Sequence, residues 1–153
     1  MKFDKKPILN GKFSPDITYL KYKATELKTS KYINDFVSPD SQIIHDIDTL
    51  ATYINKFDDE KLSLSLNNYK SNFFENNSLI IVAIQESSGS NKNEVSKVVR
   101  LNDTKSVDIL VKHTSAQIGT ADMAMYYLII EVTKDAIKNI DTVQVKNSDA
   151  AYL

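Results

Sequence analysis

Apolar residues concentrate between Phe73 and Thr133, in four short runs separated by polar turns. The first, Ser78 to Glu86, contains the unbroken stretch Leu79-Ile80-Ile81-Val82-Ala83-Ile84. It is too short for a membrane helix and rich in β-branched residues, which predicts a buried strand. A polar turn leads to Glu94–Leu101, the tight turn Asn102-Asp103-Thr104 to Ser106–Thr114, and a longer loop to Ala124–Thr133. Alternation supports these strands, because successive side chains point to opposite faces. Val107, Ile109 and Val111 alternate with Asp108 and Lys112. Ala124, Tyr126, Leu128, Ile130 and Val132 form one apolar face, and Met125, Tyr127, Ile129, Glu131 and Thr133 a mixed one, as expected of a central strand. Val95, Val99 and Leu101 share a face that Lys97 interrupts, which predicts a strand nearer an edge. The short connections predict an antiparallel meander.

Outside this block the clearest element is a helix over Asp48–Phe57. There Leu50, Tyr53, Ile54 and Phe57 fall at i, i+3, i+4 and i+7, and Asp46 or Asp48 stands ready to cap the N-terminus. Strands are expected over 16–24, over 41–45, around the alternating Leu62, Leu64 and Leu66, and at the end around Val143 and Val145. Short helical turns are expected within 68–76, docking Phe73 and Phe74, and at 135–138. Over 30–38, Tyr32, Ile33 and Phe36 would share a helical face, but Pro39 follows closely and the segment stays open. Residues 1–15, with Pro7, Gly11 and Pro15, read as a flexible leader, and 16–149 as a single domain. The fold class expected is α+β, mainly antiparallel β, a sandwich or partly open barrel with one substantial helix. Its core should include Leu50, Tyr53, Ile54, Leu79, Ile81, Ile109, Val111, Leu128, Ile130 and Val132.

Composition narrows the function classes. The chain has 153 residues, 42% hydrophobic and 25% charged, enough for one core. A net charge of -1 with interspersed signs argues against nucleic acid, and Arg100 as the only arginine removes most bidentate phosphate recognition. No cysteine is present, so disulfides, thiolate zinc sites and cysteine nucleophiles are excluded. No apolar run reaches membrane-spanning length, and no phosphate loop, dinucleotide fingerprint or nucleophile elbow occurs. His45 and His113 are the only histidines, too few for a histidine-rich metal site. His113 ends its strand beside the core, where a hydrogen-bonded structural role is the simpler reading. No catalytic residue, metal ligand or cofactor is assigned.

Phe73-Phe74-Glu75-Asn76-Asn77-Ser78-Leu79-Ile80-Ile81-Val82, the turn Ser87-Ser88-Gly89-Ser90, and Thr120-Ala121-Asp122-Met123-Ala124 ahead of Ile129-Ile130-Glu131-Val132 resemble the C-terminal domain of the PrcB family. The resemblance covers residues 73–146. It implies an extracytoplasmic, often lipid-anchored, non-catalytic module of the bacterial cell envelope, associated with a surface protease or another envelope protein. A small hydrolase or sugar-active enzyme is the alternative. Where the family commonly has a glycine-rich, aromatic-ended turn, this chain has Ser88-Gly89-Ser90-Asn91.

Strand direction then locates a binding surface. In an antiparallel meander the 87–92 turn and the 115–123 loop fall at the same end, and long loops on a rigid sheet are where binding residues concentrate. Ser88, Gly89, Gly119, Thr120, Asp122 and Met123 are the expected border of a protein-contact surface.

Overall fold

The computed structural model describes residues 8–9, 12–13, 16–119 and 122–149. The expected leader is described only where β1 (Ile8–Leu9) pairs with β2 (Lys12–Phe13); its remainder, and the expected fraying of 150–153, lie outside the described residues. The body is a two-sheet sandwich with helices on one outer face. The first sheet has the order β4 (Lys23–Thr29), β9 (Ala124–Thr133), β6 (Asn77–Glu86), β5 (Asp40–Ile44), all antiparallel. The second has the order β10 (Thr142–Asn147), β8 (Ser106–Thr114), β7 (Lys92–Leu101), β3 (Ile17–Tyr19), with β10 parallel to β8 and the rest antiparallel.

The expected sandwich is therefore present, but the meander is not. β6 pairs with β9 and β7 with β8, so the 87–91 and 115–123 connections cross from one sheet to the other. Patterning explains why. β6 and β9 are apolar on both faces and need cover on both, which only the inner sheet of three layers receives. One face, Ile80, Val82, Leu128, Ile130 and Val132, meets Val98, Val107, Ile109 and Val111 of the second sheet. The other, Leu79, Ile81, Ala83, Met125, Tyr127 and Ile129, meets Leu50, Tyr53, Phe57, Leu62 and Leu66 of the helices. Every residue expected in the core is buried except Ile54, which is partly buried.

Helix α1 runs Ile47–Phe57, and Asp46 caps it, its Oδ1 accepting from the Thr49 N–H at 2.7 Å. Asp58 ends it in the left-handed region at φ 49°, its N–H bonded back to Ile54 O, and turns the chain into α2 (Glu60–Leu66). The strand expected around Leu62, Leu64 and Leu66 is thus a helix. Leu62 and Leu66, four apart, share its buried face, while Leu64 is 66% exposed. α3 (Phe73–Asn76) and a 3-10 turn (Asp135–Ile137) stand where short helical turns were expected. Residues 16–24 divide between two strands in opposite sheets, β3 and β4, and 30–38 holds neither helix nor strand. In β7 a bulge at Ser96 resets the alternation: Val95 faces Val111, then Lys97 faces Leu110, so Val98 rather than Lys97 turns inward. Asp108, expected on a polar face, is fully buried, with Lys146 Nζ at 2.9 Å.

Candidate functional site

Both sheet-crossing connections lie at one end of the sandwich, and they are bonded together there. The Gly89 N–H donates to Asp122 O at 3.0 Å, and Lys28 Nζ from β4 donates to Gly89 O at 2.8 Å. A Cβ on Gly89 would stand 2.8 Å from Asp122 Oδ2, and one on Gly119 would stand 2.8 Å from Ser88 Oγ. A Cβ at either position would push a neighbouring side-chain end aside, so glycine lets the loops pack this closely as they stand. Ser88 is buried, its Oγ accepting from the Ser90 N–H at 3.3 Å, whereas Met123 is 38% exposed. Of the six residues expected to border this surface, Ser88, Gly89, Gly119, Asp122 and Met123 gather here; Thr120 lies outside the described residues.

Beneath the loops sits a polar network. The buried Glu86, last residue of β6, accepts from Asn93 Nδ2 at 2.7 Å on Oε2 and from Asn91 Nδ2 at 3.1 Å on Oε1. His113 Nε2 stands 3.2 Å from Glu86 Oε2, its ring partly open to solvent. Asn91 Oδ1 in turn accepts from the Ala116 N–H at 3.1 Å, so one asparagine joins the buried carboxylate to both loops. Glu86 distributes its two oxygens over three partners, the arrangement of an anchor for loop geometry. Of this network the sequence singles out His113 alone, since gathering Asn91, Asn93 and His113 on Glu86 requires the two sheets to be packed together. Ile118, at 92% the most exposed large apolar residue described, projects from the longer loop with Met123 near the loop base.

On the helix side of the same end is an open cavity of about 520 Å³, lined by the end of β4, the following segment and the α1–α2 junction. Asp59, 8% exposed, lines it, with Oδ2 accepting from the Thr29 hydroxyl at 2.6 Å and the Tyr127 hydroxyl at 2.8 Å. Burial first, and then the bond to Asp59, holds the Tyr127 phenol well above its ordinary pKa, so it remains a donor. Nothing in the sequence pattern singled out Asp59, because its partners are 30 and 68 residues away. Among the described residues no group of three or more His, Cys, Asp or Glu side chains is placed to hold a metal, and no helix is long and apolar enough to cross a membrane. No family model, curated protein or solved structure matches the chain.

Proposed function

We propose that the domain is a non-catalytic binding or regulatory module that contacts a protein partner through the loop end of its sandwich. The observation that carries this reading is the interlocked pair of loops. The Gly89 N–H donates to Asp122 O, the Asn91 side chain accepts from the Ala116 N–H and is held from beneath by Glu86, and Lys28 Nζ of β4 donates to Gly89 O, while Ile118 and Met123 stand exposed. Exposed apolar side chains on a braced loop lose little conformational freedom on docking, which favours association. The resemblance to the PrcB C-terminal domain supports a place in the bacterial cell envelope and a surface protease or another envelope protein as the partner.

The test uses a photo-crosslinking residue at Ile118 and, as a control, at Asp103 on the opposite end, in cells that make the protein. A partner captured from the Ile118 position alone, and lost in Gly89→Val or Ser88→Arg protein that still folds, supports the module. Identical capture from both positions, or capture indifferent to those variants, sinks it. The alternative, a small hydrolase or sugar-active enzyme, draws on one observation, the Glu86–His113 pair. Turnover of an ester or glycoside that disappears in His113→Gln protein would favour it.

A further inference from the structure

We propose that the cavity between the end of β4 and the α1–α2 junction is a binding site for a guanidinium group, with the Asp59 carboxylate as its anchor. Asp59 is a buried acid whose bonding partners are two neutral hydroxyls, both on Oδ2. Among the described residues, no hydrogen bond reaches Oδ1, and no lysine, arginine or histidine nitrogen lies within 4.0 Å of either oxygen. Oδ1 is not among the side-chain oxygens that the fold seals away without a partner, and Asp59 lines the cavity. Buried carboxylates are ordinarily matched by a cation, and here the oxygen without a hydrogen bond belongs to a residue of the cavity wall.

The walls select the kind of cation. Tyr32, 50% exposed, and Leu64, 66% exposed, bring an aromatic ring and an apolar side chain to the same wall as the acids Asp58, Asp59 and Glu60. A planar guanidinium can stack on such a ring while its fork of N–H donors meets a carboxylate, whereas a hydrated ammonium gains less from the ring. Neither lysine of the wall reaches Asp59: Lys61 Nζ donates to Lys28 O at 2.9 Å, and Lys31 Nζ stands 4.0 Å from Oδ2 of the exposed Asp58. The lack of a metal-binding cluster among the described residues is consistent with an organic cation. This site does not rest on the loop reading, although both lie at the same end, where Thr29 pairs with Met125 at the start of β9.

The experiment is a two-dimensional NMR titration of the full chain with N-acetyl-arginine N-methylamide, a blocked peptide arginine, alongside free arginine and the neutral isostere N-acetyl-citrulline N-methylamide. Saturable shifts of amides 29–32 and 58–61 with the arginine probes and none with citrulline are expected. Preference for the blocked probe marks a polypeptide side chain as the ligand, and preference for free arginine marks the amino acid. Asp59→Asn keeps an oxygen acceptor for Thr29 and Tyr127 and should weaken binding at least about tenfold, the worth of one charge-assisted hydrogen bond. Tyr32→Ala, at an exposed position, supplies a second variant and should weaken it about threefold or more. Ile118→Asp should leave the titration unchanged, so the cavity and the loop surface stand or fall separately. Absence of saturable shifts, equal binding of citrulline, or undiminished affinity in both cavity variants would overturn the assignment.

Discussion

At the end of the sandwich that carries the 102–105 turn and the 3-10 turn, the only arginine of the chain is spent on closing the structure. Arg100 Nη1 and Nη2 donate to the carbonyls of Ala136 and Lys138 at 2.9 and 3.0 Å, and Nε to Asn102 Oδ1 at 3.1 Å. Asn102 reaches on to Asp16 and Thr18, and Lys134 Nζ takes the His45 carbonyl at 2.6 Å. At the other end, Glu86 and Asn91 bond loop to loop, apolar residues point outward, and a buried acid faces an open cavity. One end fastens side chains to backbone and closes. The other braces its loops from beneath and leaves their outer surface for contact, which is how a rigid scaffold positions a binding site.

The layer shared by both ends sets the scale. Ile130→Ala, fully buried between the sheets, should cost about 2 to 5 kcal/mol in a chemical melt. A loss below about half a kcal/mol would mean that the inter-sheet packing assigned to this face is wrong. Next, the two anchors should differ in reach. Arg100→Met strips two backbone carbonyls of their donor and should lower global stability by about 1 to 3 kcal/mol. Glu86→Ala leaves the buried Asn93 amide without its acceptor, at a similar local cost, but hydrogen exchange should quicken mainly in 87–91 and 115–119. Equal exchange changes at both ends would erase the contrast between them.

Gly89→Ala should cost less than about 1 kcal/mol, because its Cβ meets only the end of the Asp122 side chain, which can turn aside, and it should loosen the loops more than the sheets. The smallest effect concerns pH and the closed end. Partial burial, and then the Lys134 ammonium, lower the His45 pKa below its ordinary 6.5. The unfolded chain therefore takes up the proton first as pH falls through about 6.5, and folding stability declines from there toward the depressed folded value. His45→Gln should flatten that acid-side decline in melting temperature, with little change at about pH 7.5, where both states are neutral. An unchanged slope would show that His45 does not carry the effect.

Much of this fold is legible in the chain itself. Leu50, Tyr53, Ile54 and Phe57 mark α1, the continuous apolar run marks β6, and the two-faced pattern of β9 marks a central strand, because burial on one face or both is written directly in residue spacing. The common location of the two long loops was also legible, since it depends only on strand direction and survives the change from meander to sheet-crossing connections. What spacing does not encode is which strand lies beside which. Three leucines in alternation fit a strand or, at positions 62 and 66, a helix face, and only packing against Tyr127 and Ile129 from the far end of the chain selects the helix. The bulge at Ser96, the asparagines gathered on Glu86, and the Thr29–Asp59–Tyr127 contact likewise join residues that only the folded chain brings together. Local pattern determined the elements and their buried faces, because hydrophobic periodicity acts within a few residues. Tertiary structure decided strand partners and polar clusters, because hydrogen bonding between distant segments depends on contacts that no local spacing specifies.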